Sequence, residues 1–199
     1  LILRKIDPDV YTWIFTQLNR DAQKKFLGFL TDEELDTMFA KYQKGFTCFN
    51  KTYLSFQLLD KISGDTIGVC GYHNWYTEHR RAEIGYSLYQ DIYKKQGIMS
   101  EAFTPIIKYG FEQMHLNRIE AFIGPHNVAS IKLVEKNGFT LEGHLKQHFY
   151  KNGIMEDSLV FALLLLSPVA LAVPLLGHVA GVAMLCAPGA DVKAKGGRR

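Results

Sequence analysis

Two short runs in this 199-residue chain have the residue types and spacing to hold a phosphorylated ligand and to act on it. The first is Lys94-Lys95-Gln96-Gly97-Ile98-Met99-Ser100-Glu101-Ala102, where a strand-like stretch (82–88) passes into a helix-like one (99–114). A glycine before a helix lets the backbone come close to a ligand. The first N–H groups of that helix have no internal acceptor and lie at its positive end. The backbone of Gln96, Gly97, Ile98 and Ser100, with Lys94 and Lys95 alongside, is therefore suited to a pyrophosphate. No Gly-Lys-Ser/Thr follows, so this is not a Walker loop. The second run is Asn127-Val128-Ala129-Ser130, continuing to Glu135-Lys136-Asn137-Gly138-Phe139. Asn127 suits the N-cap of a helix over 128–136, and Ser130 places a hydroxyl in its first turn. Asn137-Gly138 is a C-terminal stop.

Three further blocks accompany these two in a fixed order. They are Ala82-Glu83-Ile84-Gly85-Tyr86, Arg118-Ile119-Glu120-Ala121 and Leu141-Glu142-Gly143. With all five present, the chain resembles the GNAT (GCN5-related N-acetyltransferase) superfamily, and within it the RimJ/RimL-like branch, over residues 1–163. The resemblance implies an enzyme, an N-acetyltransferase with acetyl-CoA as co-substrate and no metal. It implies a primary-amine acceptor, either a peptide N-terminus or a small molecule such as a polyamine, amino sugar or antibiotic. The amine would attack the thioester directly in a ternary complex. The resemblance assigns the pyrophosphate to the 94–100 loop. It turns Asn127 and Ser130 toward the pantetheine arm and the thiol end, with Ser130 a donor to the departing thiolate. Glu83 falls where the family commonly carries a base, and its usefulness there depends on burial raising its pKa. An ion pair with Arg80 or Arg81 is its structural alternative. Glu142 is the second carboxylate, for catalysis, loop ordering or amine binding.

The chain departs from the family pattern at three positions. Lys94 replaces the usual Gln or Arg, Met99 a small Gly or Ala, and Val134 a Tyr often used as general acid. Met99 must point away from the pyrophosphate, and Val134 shifts proton donation to Ser130 or water. These departures keep a second reading open: an acyl-CoA sensor or scaffold of the same shape with little turnover.

The elements that must position these residues are legible in the hydrophobic periods. Residues 1–6 read as a strand, 10–18 and 22–30 as helix, and Thr31 with the acids after it as a capped helix start. Strands follow at 53–59 and 66–72 around Ser63-Gly64-Asp65, then at 82–88 and 118–123. Residues 140–150 and 154–163 form a last hairpin around Asn152-Gly153. Pro105 is expected to disturb the helix after the basic loop. Without strict strand–helix alternation, the chain reads as α+β, with a mixed, mostly antiparallel sheet of about six to seven strands flanked by helices.

Composition narrows the partners. The net charge of +3 arises in the tail, because residues 1–162 carry 19 basic and 19 acidic side chains. A balanced body argues against nucleic acid as partner. Cys48, Cys70 and Cys186 are odd in number and widely spaced, so they read as reduced thiols in a cytoplasmic protein. His73, His79, His144 and His148 lack metal-ligand spacing. No signal peptide opens the chain, and the absent initiator Met suggests a trimmed or partial N-terminus. Residues 164–199 turn apolar and Pro/Ala/Gly-containing, then basic. They read as a tail outside the domain core, with two alternatives: a membrane anchor, which length permits, and a tail folded back on the body or in an oligomer contact. A monomer and a homodimer are both compatible with this reading.

Overall fold

The computed structural model describes residues 1–46, 51–165 and 183–186. Four of its five helices begin at a side chain that caps them. Asp7 accepts from the Val10 N–H to start α1 (Pro8–Gln17), with Pro8 in the first turn. Asn19 accepts from the Ala22 N–H to start α2 (Arg20–Leu27). Thr31 and Glu34 form a reciprocal capping box on α3 (Asp32–Lys44). Helix α4 (Ile98–Glu112) begins at Gly97 with no side-chain cap. Helix α5 (Val128–Lys136) begins at Asn127, whose side chain accepts from the Ser130 N–H. The helix expected to reach residue 30 stops at Leu27, because Gly28 turns left-handed at φ 76°. Pro105 leaves α4 unbroken. It removes only the bond to the carbonyl of Glu101, an exposed residue.

Eight strands form one sheet in the order β6-β7-β5-β4-β3-β2-β1-β8. They are β1 (Ile2–Ile6), β2 (Thr52–Leu59), β3 (Thr66–Tyr76), β4 (Arg81–Leu88), β5 (Arg118–Ile123), β6 (Thr140–Lys151), β7 (Ile154–Leu164) and β8 (Ala183–Cys186). The pairing is antiparallel except between β4 and β5 and between β1 and β8. The count exceeds the expected six to seven because residues 183–186 of the tail add β8 beside β1. Residues 166–182 and 187–199 of the tail, and Cys48, lie outside the described residues. Among the described residues, no helix is long and apolar enough to cross a membrane.

Alternation along the strands sends side chains to two faces. On one face, Leu3, Phe56, Cys70, Tyr72, Ala82 and Ile84 pack against α4 and α5. On the other, Ile6 joins Val10, Tyr11, Ile14, Leu27 and Leu35 of α1–α3. Arg4 ties α2 to this face. Its guanidinium donates to Gln57 Oε1 and, at 2.7 Å, to the Phe26 carbonyl, and stacks 3.8 Å from the Phe26 ring.

Helix α4 is fastened to β3 by one buried polar contact. The Tyr72 hydroxyl donates to the Ile106 carbonyl at 2.7 Å. Gly110 leaves room for that phenol, since a Cβ there would overlap it. Gly110→Ala should cost about 1–3 kcal/mol by overpacking, and Tyr72→Phe about 1 kcal/mol by loss of a hydrogen bond. Urea denaturation of the double variant should give less than the sum of the two losses, because both act on one contact. Full additivity would show that Gly110 is required for another reason.

Candidate active site

Strand β4 pairs with β5 over three residues only: Arg81 with Arg118, Ala82 with Ile119, and Glu83 with Glu120. Beyond Glu83, β4 continues to Leu88 bonded to β3, and β5 continues to Ile123 bonded to β7. The two parallel strands therefore part into a wedge whose apex is the Glu83–Glu120 pair. Both strands lead from that apex toward the starts of α4 and α5. Among the described residues, backbone groups of β4 that face β5 along the wedge have no strand partner, which suits a ligand with amide groups.

At the open end of the wedge the chain makes a 3-10 turn at Asp91–Tyr93 and enters α4. Lys95 and Gly97 are both left-handed, at φ 60° and 78°. Among the described residues, nothing lies within 4 Å of where a Gly97 Cβ would stand, so the space above this glycine is open to them. The first helical bond of α4 runs from the Glu101 N–H to the Gly97 carbonyl, at 2.9 Å. The N–H groups of Ile98, Met99 and Ser100 precede it without an intrahelical acceptor. Lys94 is paired with Asp91 at 2.5 Å, and Gln96 donates its side-chain amide to the Ile92 carbonyl. These contacts brace the loop. Ile98 and Met99 pack against the main core, so the Met99 side chain turns away from the loop as the sequence required.

Ser130 lies on the helical face of the sheet beside Tyr86. The Tyr86 ring packs edge-on against Phe103. Its hydroxyl is buried and makes no hydrogen bond of good geometry. Burial raises the Tyr86 pKa against a smaller opposing pull from Ser130. The indole N–H of Trp75 is the other buried polar group without a partner among the described residues. Val134 is fully buried and contributes only packing.

Glu83 points to the opposite face. Its Oε1 meets His73 Nε2 at 2.9 Å, and its Oε2 accepts from Asn74 Nδ2 at 2.9 Å. Burial pushes its pKa up, but the His73 hydrogen bond and charge, the Asn74 hydrogen bond and the charge of His148 outweigh that and hold it below the ordinary value. The rise in pKa that burial alone would give this carboxylate is absent. Neither alternative arginine is its partner, since Arg81 binds Glu120 at 2.8 Å and Arg80 donates to the His115 carbonyl. Glu142 is also committed. Arg118 grips it with both terminal guanidinium nitrogens, at 3.0 and 2.5 Å, and its Nε donates to Glu120 at 2.7 Å. The Arg118 hydrogen bond and charge lower the Glu142 pKa against its partial burial. His148 stacks on Phe122, with ring centroids 5.2 Å apart, and reaches Ser158.

The structure thus gathers Lys94, Lys95, Gln96, Gly97, Ile98 and Ser100 at the wide end of the wedge. It places Asn127 and Ser130 at the start of α5, and Glu83 at the apex. Glu142 sits in an arginine bridge. The residue missed in the sequence is His73, which lies on β3 one residue beyond the expected end of that strand. Its opposition to Glu83 could be found only by extending the hairpin through an irregular turn. Among the described residues, no group of three or more His, Cys, Asp or Glu could hold a metal.

Comparison with known proteins agrees with this architecture. A family model described as an acetyltransferase (GNAT) domain matches residues 1–140. YoaA of Bacillus subtilis (strain 168), an uncharacterised N-acetyltransferase, is 30% identical over 164 residues, covering 82% of this chain and 92% of YoaA. The [ribosomal protein uS5]-alanine N-acetyltransferase of Escherichia coli (strain K12) is 34% identical over 109 residues, which is 54% of this chain and 56% of that enzyme. Among solved structures, the ribosomal-protein-S5-alanine acetyltransferase of Vibrio fischeri aligns with a TM-score of 0.52 at 28% identity, covering 66% of this chain and 69% of that one. A chimera of the Vibrio cholerae spermidine N-acetyltransferase SpeG with hSSAT aligns with a TM-score of 0.60 at 22% identity, over 82% of this chain and 96% of that one; this is a likeness of fold. The chain belongs to the GNAT acetyltransferase family and is an N-acetyltransferase.

The two lowered carboxylates set an acid limit on stability. Below the ordinary glutamate pKa of about 4.3, the unfolded chain binds protons that the folded chain refuses at Glu83 and Glu142. Their contribution is therefore present above that value and is lost as pH falls through the lowered folded values. Urea midpoints of the parent should drop on acidification, and those of Glu142→Gln should drop less. An identical acid slope in the two proteins would mean that the Arg118–Glu142 bridge adds nothing to the acid transition.

Proposed function

We propose that this chain transfers the acetyl group of acetyl-CoA to a primary amine by direct attack in a ternary complex. The observation that carries the reading is the wedge between β4 and β5, with its apex at Glu83 and its wide end at the uncapped N-terminus of α4. An extended pantetheine arm with two amides suits the unpaired edge of β4. A pyrophosphate suits the N–H groups of Ile98, Met99 and Ser100 and the backbone of Gln96 and Gly97, with Lys95 nearby and Lys94 bracing the loop. The open space at Gly97 accommodates the close approach. Asn127 fixes the first turn of α5, and with it Ser130, whose hydroxyl can donate to the thiolate as the carbon–sulphur bond breaks. Glu83 supplies the negative charge at the apex, where an ammonium group is drawn in and must lose a proton. Glu142 is assigned to ordering the hairpin through Arg118. None of these steps requires a metal.

The acceptor is a primary amine on either a peptide N-terminus or a small molecule. Relatives that carry an acceptor in their names include the uS5-alanine enzyme and a ribosomal-protein-serine acetyltransferase. Solved neighbours include spermidine enzymes. The acceptor would enter over the face of β4 that bears Glu83, between α1–α3 and the β6–β7 hairpin.

The test is thiol release from acetyl-CoA against N-terminal-alanine and N-terminal-serine peptides, spermidine and an aminoglycoside. Amine-dependent release is expected. Glu83→Gln should reduce turnover by about a hundredfold while leaving acetyl-CoA affinity unchanged in calorimetry. Gly97→Val should weaken acetyl-CoA binding at least about tenfold, the equivalent of 1.4 kcal/mol, because its side chain enters the ligand space and because a β-branched residue strains the left-handed backbone at φ 78°. Tight acetyl-CoA binding without release from any amine would replace the transferase by an acyl-CoA sensor.

A further inference from the structure

Two consecutive residues of β3, His73 and Asn74, both bond to the carboxylate of Glu83. In a regular strand, neighbours point to opposite faces. Here the ladder between β3 and β4 is irregular between His73 and Tyr76, and Asn74 is left-handed at φ 46°. The strand is kinked at the one place that lets both side chains converge on one anion. A bulge next to a site commonly re-aims a side chain in this way.

A third feature seats the imidazole. Gly85 has no Cβ, and one built there would stand 2.8 Å from His73 Cε1 and 3.1 Å from Nδ1. The ring therefore lies over the backbone of Gly85, two residues past the last β4–β5 pair. Its Cε1–Nδ1 edge lies over Gly85 on β4, away from the Glu83 carboxylate that meets Nε2. An ionised carboxylate only accepts hydrogen bonds, so Nε2, which meets Glu83, carries a proton. In the neutral ring the lone pair is then on Nδ1. The His73 side chain is 42% exposed, whereas that of Glu83 is 20% exposed, with both oxygens engaged.

We infer that His73 is the group that takes the proton from the acceptor ammonium, and that Glu83 acts through it as a positioning residue. The inference rests on the transferase reading above and names the proton acceptor within it. Nδ1 removes one proton from the ammonium, leaving a neutral amine. The amine nitrogen forms a bond to the thioester carbonyl carbon, and the carbon–sulphur bond breaks with its electron pair going to sulphur. A second nitrogen-bound proton ends on the thiolate, giving an amide and free coenzyme A. The imidazolium then returns its proton to water. Glu83 stabilises that imidazolium and fixes the tautomer, and the side-chain amide of Asn74 holds the carboxylate in place. Other charged groups near this pair are His148, beyond Phe122, and Glu120, which stands opposite Glu83 and is bound by both Arg81 and Arg118.

His73→Gln separates a base from a structural support. Turnover is measured with spermidine, whose primary amines resemble the lysine value of about 10.4, and with an N-terminal-alanine peptide, whose α-amine lies near about 7.7–8.0. At pH 7 the variant should lose about a hundredfold in kcat with spermidine. The loss should be smaller with the peptide and should shrink further at pH 9, where free amine is already present. Acetyl-CoA affinity should not change. A structural role would give a loss independent of both amine and pH, and that result overturns the inference, as does wild-type turnover in His73→Gln. Nitrogen NMR of the parent should show the proton on Nε2; a proton on Nδ1 at neutral pH also overturns it. If the parent binds acetyl-CoA but turns over neither amine nor any of the wider panel, the transferase reading fails and the inference with it.

Discussion

The architecture turns on a ladder that stops. Strands β4 and β5 are joined for three residues and then diverge, although each continues with its outer neighbour. Sheets rarely leave backbone edges facing one another without pairing, because each N–H and C=O then depends on water or ligand. Here that divergence makes an enclosed edge inside the sheet. Helices α4 and α5 each follow one of the two diverging strands, so both N-termini arrive at the mouth of the same wedge. Tyr72, reaching through the gap left by Gly110, keeps α4 seated on β3 and prevents the mouth from drifting.

The wedge also divides the chemistry between two faces. Alternation along β4 sends Ala82, Ile84 and Tyr86 toward α4 and α5, and Arg81, Glu83 and Gly85 the other way. The groups that can give a proton, Ser130 and the orphaned phenol of Tyr86, thus stand on one side. The group that can take one stands on the other with its carboxylate partner. In the reaction we propose, a thioester lying in the plane of the sheet would meet both, with acceptor and leaving group on opposite faces. Val134 fits this division. Its full burial shows a position given over to packing, where the related pattern carries a tyrosine.

Much of this was legible in the residues themselves. Caps at Thr31 and Asn127, and the stop at Asn137-Gly138, act through local hydrogen bonds, so they survive folding unchanged. The basic glycine loop was legible for the same reason, since a helix N-terminus is defined by its own backbone. What escaped the sequence was set by register. Residues 73–76, His-Asn-Trp-Tyr, break the two-residue period and read as the end of a strand, yet β3 runs through them with a bulge. The facing of His73 and Glu83 depends on that bulge and on the turn that follows. The pairing of Arg118 with Glu142 likewise depends on a hairpin folding back across β7. β8 escaped because an apolar run broken by prolines carries no helical or strand period of its own.

The apex is also where electrostatics would otherwise fail. Glu83 and Glu120 are directly opposed across a parallel pair, and two unscreened carboxylates there would raise each other's pKa. Arg81 and Arg118 both bind Glu120, and Arg118 extends to Glu142 on β6. With its charge answered from both sides, Glu120 no longer opposes ionisation of Glu83. Glu83 stays anionic against the pull of its own burial, which is what an imidazolium partner needs. The arginine–carboxylate chain acts as the insulation of the apex: by neutralising one carboxylate it leaves the other free to respond to His73.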